Sequence, residues 1–93
     1  MRRYELTLIF PLEEDQHKAG RDHLISDLGA NGVEIEKTDE LGERDLAYEI
    51  RKRKRGKYVL MVIKSDPAKI TVLDRIFKLN ANLLKYLFVR IEE

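Results

Sequence analysis

Leu41-Gly42-Glu43-Arg44-Asp45-Leu46-Ala47-Tyr48-Glu49-Ile50-Arg51 runs directly into Lys52-Arg53-Lys54-Arg55-Gly56-Lys57, and the reading of this stretch governs the rest of the chain. Gly42 supplies a bend or bulge, after which Leu46, Tyr48 and Ile50 recur on one face of a strand. That strand enters a block of positive charge in which Gly56 is expected to make the hairpin connection. The segment therefore reads as a packed hairpin arm with a cationic tip, and phosphate is the natural counterpart of such a tip.

Outward from the hairpin, the other elements follow from periodicity and punctuation. Tyr4-Glu5-Leu6-Thr7-Leu8-Ile9-Phe10 alternates with period two and stops at Pro11, a first strand. Residues 12–28 are expected to be helical, with Glu13, Glu14 and Asp15 at the end that favours negative charge and Leu24, Ile25 and Leu28 as the apolar stripe. Gly20 costs that helix about 1 kcal/mol relative to alanine. Gly29-Ala30-Asn31-Gly32 ends it, and a second strand begins at Val33. Tyr58-Val59-Leu60-Met61-Val62-Ile63 is a third strand, apolar on both faces. Asp66-Pro67 starts a second helix, acid as N-cap and proline at the first helical position, with Ile70, Leu73, Ile76 and Phe77 inward. Residues 84–91 form a fourth strand. The order β-α-β-β-α-β, with right-handed crossovers, predicts an α+β fold of the ferredoxin-like type: a four-stranded antiparallel sheet with both helices on one face.

Composition sets the outer limits. The 93 residues make one domain spanning 1–93, and the apolar content of 43% argues against general disorder. Charged residues reach 38% while the net charge is only +1, so charge is segregated rather than uniformly basic. Glu34, Glu36, Asp39, Glu40, Glu43 and Asp45 crowd the middle, ahead of the basic block. With no cysteine, disulfides and thiolate metal sites are excluded, which fits a reducing cytoplasm. No apolar run reaches the roughly 20 residues a bilayer requires, and no signal-type stretch follows Met1, so a soluble intracellular protein without a membrane partner is expected.

Several features bear on function. The cations Arg51, Lys52, Arg53, Lys54, Arg55 and Lys57, with Arg2 and Arg3, repel one another unless phosphate relieves them; the plainer alternative is a solvated turn that guards a sheet end. Arg55-Gly56-Lys57-Tyr58-Val59-Leu60-Met61-Val62 lies where RNA-recognition domains of this topology carry stacking aromatics. Those positions hold Lys57, Val59 and Val62, and Tyr58 is expected to pack against a helix, so the stacking mechanism is rejected. If Leu46, Tyr48, Ile50, Tyr58, Leu60 and Val62 face the helices, then Val59, Met61, Ile63, Tyr86 and Phe88 line the open face. Rimmed by Glu5, Glu49 and Arg90, that face reads as a protein-partner surface, or alternatively as a homodimer contact or scattered surface apolarity.

Catalysis has little support. His17 and His23 fall on different faces of one helix, no glycine-rich phosphate loop precedes a helix, and the early acids suit the helix dipole. No metal, cofactor or small-molecule substrate is expected. An acyl-phosphate-hydrolysing enzyme of the same topology would need an arginine-bearing loop after the first strand, where Phe10-Pro11-Leu12 stands.

Met1-Arg2-Arg3-Tyr4-Glu5, Gly42-Glu43-Arg44-Asp45-Leu46-Ala47-Tyr48-Glu49-Ile50-Arg51, the apolar third strand before Asp66-Pro67, and Phe77-Lys78-Leu79-Asn80 occur in order. Together they resemble the family of the sixth protein of the bacterial small ribosomal subunit over essentially the whole chain. The resemblance implies the ferredoxin-like fold and a non-enzymatic role in the cytoplasmic ribosome. It also implies binding of the central domain of small-subunit ribosomal RNA jointly with the eighteenth protein of that subunit. On that footing Arg2, Arg3, Arg51–Arg55 and Lys57 are the RNA-binding set, and Val59, Met61, Ile63, Tyr86, Phe88 and Arg90 the surface for the protein partner. Glu49 stands where proline is common in the family, the basic run is dense, and the chain ends at Glu93 without the tail many relatives carry. A contrasting reading is a small regulatory module that dimerises through its sheet and binds a small anion.

Overall fold

The computed structural model describes residues 1–92 and has the expected element order: β1 (Arg2–Phe10), α1 (Glu14–Ala30), β2 (Glu34–Ile50), β3 (Arg53–Ser65), α2 (Pro67–Phe77) and β4 (Lys85–Arg90). The strands form one sheet in the order β2-β3-β1-β4, and every neighbouring pair is antiparallel. Both helices lie on the face carrying Tyr4, Leu6, Leu8 and Phe10, where Leu24, Leu28, Leu73 and Phe77 complete the core. This is the ferredoxin-like arrangement.

Local chemistry explains the helix limits. The Asp66 carboxylate accepts from the Ala68 N–H at 3.0 Å, and Pro67 opens α2 with a preset φ. α1 begins at Glu14, later than periodicity suggested. Its N-cap, Glu13, makes no capping bond and instead accepts from Arg53. The inward stripe of α1 is Gly20, Leu24 and Leu28, spaced by four; Ile25 is 39% exposed and lies outside that stripe. Gly20 is there for contact, since a Cβ would stand 2.3 Å from the Asn82 carbonyl oxygen. The same loop holds α1 through the buried Asn80 amide, which donates to the Gly20 carbonyl at 3.1 Å.

The hairpin closes differently from expectation. Its two-residue turn is Arg51-Lys52, with φ of 49° and 64°, between the paired residues Ile50 and Arg53. Two successive positive φ values match the strand twist, though neither residue is glycine. Gly56 lies within β3, where a Cβ would come 2.6 Å from Ile9 Cγ2 and 3.1 Å from the Phe10 carbonyl oxygen. Gly42, at φ 79°, does mark an irregularity in β2, one of three register shifts along that strand.

The facing of β3 and β4 is the main correction. Antiparallel partners share a face, and β1 places Tyr4, Leu6 and Leu8 opposite Ile63, Met61 and Val59. All three are fully buried beneath the helices. On β4, Tyr86 and Phe88 pair with Leu8 and Leu6, and their rings meet Phe77 at 5.4 Å edge-on and 5.8 Å stacked. Tyr58, Leu60, Val62, Leu87 and Val89 therefore occupy the open face, opposite to the assignment from sequence.

Candidate nucleic-acid and partner interface

The basic residues divide by their partners. Arg53 Nη1 donates to both Glu13 carboxylate oxygens at 2.8 and 2.6 Å, and Nη2 to Gln16 Oε1 at 3.1 Å. Arg55 lies between Asp45 at 3.1 Å and Glu43 at 3.5 Å. Arg51 donates to the Ala81 carbonyl at 2.9 Å, fastening the turn to the loop before β4. Arg3 meets Glu36 at 2.8 Å. Lys52 and Lys54 are exposed and Lys57 half-buried; none of the three makes an ion pair among the described residues. The basic block is thus a ribbon of cations along β3, about half of it already matched by acids or carbonyls.

Electrostatics follow from these contacts. Glu13's carboxyl is held below its ordinary range first by its own backbone N–H and then by Arg53. His17, edge-on to Phe10 at 5.2 Å, is pushed below the usual imidazole range mainly by burial and further by the Lys57 and Arg21 charges. A neutral His17 avoids adding another charge beside the ribbon. Among the described residues no group of three His, Cys, Asp or Glu side chains could hold a metal.

The apolar half of the predicted site needs correction. Val59, Met61 and Ile63 are wholly buried, and Tyr86 and Phe88 are core aromatics, so none presents a partner surface. Tyr86 donates its hydroxyl to Asp74 at 2.6 Å; burial and this bond push its pKa to about 12. Only Arg90 of that set is exposed. The exposed apolar surface instead lies on the other face. Leu87 and Val89 are 54% and 46% exposed, and half-buried Tyr58, Leu60 and Val62 continue the surface across β1. A cavity of about 170 Å³ opens there among Thr7, Ile9, Tyr58, Lys85, Tyr86 and Leu87. Lys85 Nζ lies 4.9 Å over the Tyr48 ring and donates to its hydroxyl, so the long arm bends over this cavity's rim. The polar phase of β1, Glu5 and Thr7, was the available signal; carried across the antiparallel register it identifies Val62 and Leu60.

A sheet with helices on one side, an apolar open face and a basic margin is the geometry of a scaffold that can meet other macromolecules. The ribosomal protein S6 family model matches residues 3–90. The chain is 53% identical over 93 residues to small ribosomal subunit protein bS6 of Treponema denticola, covering 100% of both chains. It is 39% identical over 92 residues to the bS6 protein of Treponema pallidum, covering 99% of each. Its fold matches the crystal structure of 30S ribosomal protein S6 from Thermotoga maritima with a TM-score of 0.85 at 20% identity, over 97% of this chain and 87% of that one. The chain belongs to the ribosomal protein S6 family, whose members are structural components and not enzymes.

Proposed function

We propose that this protein is a structural part of the cytoplasmic small ribosomal subunit that binds the central domain of its ribosomal RNA together with the subunit's eighteenth protein. The observation that carries the reading is the division of one small surface into an apolar open face and a basic margin, on a chain of this family. RNA phosphates meet the margin, where Arg2, Lys52 and Lys54 reach solvent without an acidic partner among the described residues. Arg51, Arg53 and Arg55 join by exchanging their present partners, a modest cost because exposed ion pairs are worth about 0–1 kcal/mol. The protein partner covers Leu60, Val62, Leu87 and Val89.

Binding to a central-domain RNA fragment, with and without the eighteenth protein and at two salt concentrations, tests this. The expected result is weak binding alone, strong binding with the partner, and affinity that falls with salt. A homodimer that ignores the RNA in both conditions would refute it.

A further inference from the structure

The RNA-binding reading emphasises the hairpin, but the least compensated positive charge lies at the other end of the sheet. Antiparallel pairing brings the start of β1 beside the ends of β3 and β4: Arg2 pairs with Ser65, Arg3 with Lys64, and Tyr4 with Arg90. The Ile91 N–H donates to the Arg3 carbonyl at 3.0 Å and holds the chain after β4 against β1. Three strands thus deliver four cations to one concavity of about 340 Å³, lined by Arg2, Arg3, Lys64, Arg90 and Ile91, with Glu92 as its one carboxylate among the described residues. Arg3 is engaged with Glu36. Arg2, Lys64 and Arg90 make no ion pair among the described residues.

Three like charges lining one hollow are mutually repulsive, and Glu92 is the one carboxylate lining it among the described residues. An anion with several acceptor oxygens, contacted from three directions, removes the repulsion and gains charge-assisted hydrogen bonds. We propose that this concavity is a phosphodiester seat: it takes one backbone phosphate of the bound RNA between Arg2, Lys64 and Arg90. The assignment rests on the RNA-binding reading above and adds Lys64 and Arg90 to its contacts. Three unpaired cations on rigid strands are pre-positioned, whereas the hairpin arginines must first leave their partners. The seat therefore sets the register of the protein on the RNA backbone without reading a base.

The test compares the wild type with an Arg2→Gln/Lys64→Gln/Arg90→Gln variant, using a central-domain ribosomal RNA fragment and the co-binding protein over a salt series. The control is Lys18→Gln/Lys69→Gln/Arg75→Gln, equal in charge and confined to the exposed helix surface. The seat predicts that Kd rises about tenfold at low salt and that the slope of log K against log salt shrinks by about 0.7–0.9 for the lost phosphate. Circular dichroism and thermal unfolding confirm that both variants fold, and an Arg90→Gln single variant, expected to lose part of the effect, serves if the triple variant does not. Equal losses in variant and control, or an unchanged slope in the folded variant, overturn the seat while leaving RNA binding intact. Loss of the protein partner with unchanged RNA contact also overturns it, in favour of an acidic protein ligand. A wild type that binds no RNA overturns the underlying reading as well.

Discussion

At the hairpin arm the arginines are already matched, Arg53 by Glu13 and Gln16, and Arg55 by Glu43 and Asp45. At the far end of β3, Lys64 lines with Arg2 and Arg90 a hollow in which Glu92 is the one carboxylate among the described residues. A larger share of the denser run is therefore paired in space, although Lys52, Lys54 and Lys57 make no ion pair among the described residues. Charge density along a chain measures supply; the register of the sheet decides what remains unspent. The arm's acids lie on strand β2 or at the start of α1, close only after folding, while the sheet end collects its cations from three strands that are distant in sequence.

The comparison can be broken first at the arm's attachment. Gly56→Ala places a methyl against Ile9 and the Phe10 carbonyl, and should cost about 1–3 kcal/mol in chemical denaturation, as overpacking does. RNA binding at the sheet end should survive in the fraction that folds. An unchanged denaturation midpoint would show that the arm yields there freely.

The other end depends on β4 being seated, and Tyr86→Phe loosens it. Losing the hydroxyl's bond to Asp74 should cost about 1 kcal/mol near neutral pH. Asp74's carboxyl is held below its usual value of 3.8, first by Tyr86 and then by Lys78. A lowered folded-state pKa contributes stability above the unfolded value and loses it as pH falls through the folded one. The gap between wild type and variant should therefore narrow below about pH 4. A gap independent of pH would place the cost in packing alone.

Smaller effects sharpen the contrast. Lys52→Gln/Lys54→Gln should weaken RNA binding about threefold, less than the change at the sheet end, if the arm makes peripheral phosphate contacts. Equal or larger losses would reverse the ranking. Asp45→Asn should tighten RNA binding about twofold by freeing Arg55, in keeping with an exposed pair worth well under 1 kcal/mol. The gain should vanish when Arg55→Gln is also present; if it persists, Asp45 acts through the general field.

What was legible in the sequence was punctuation. Asp66-Pro67, the alternation of β1 and the bend at Gly42 each carry a local mechanism, and each was found in place. Phase was not legible in β3 and β4, because 58–63 and 86–89 are apolar at every position and alternation has no polar residue to mark a face. The β1 register supplies what those strands lack. Gly56 looked like a turn residue because glycine usually is one, yet here it answers a close approach by Ile9. The pairing of Arg53 with Glu13 spans 40 positions and has no local signature.

Strand β2 has a consequence beyond binding. It is 17 residues long and lies at the edge of the sheet, a length of unpaired backbone that in a flat strand would recruit further strands. Its three register shifts break that edge into short runs, and Glu36, Lys37, Glu40, Glu43 and Arg44 stud it with exposed charge. The irregularities that make the arm bend also make it a poor template for fibrous aggregation while the protein is still free of its ribosomal partners.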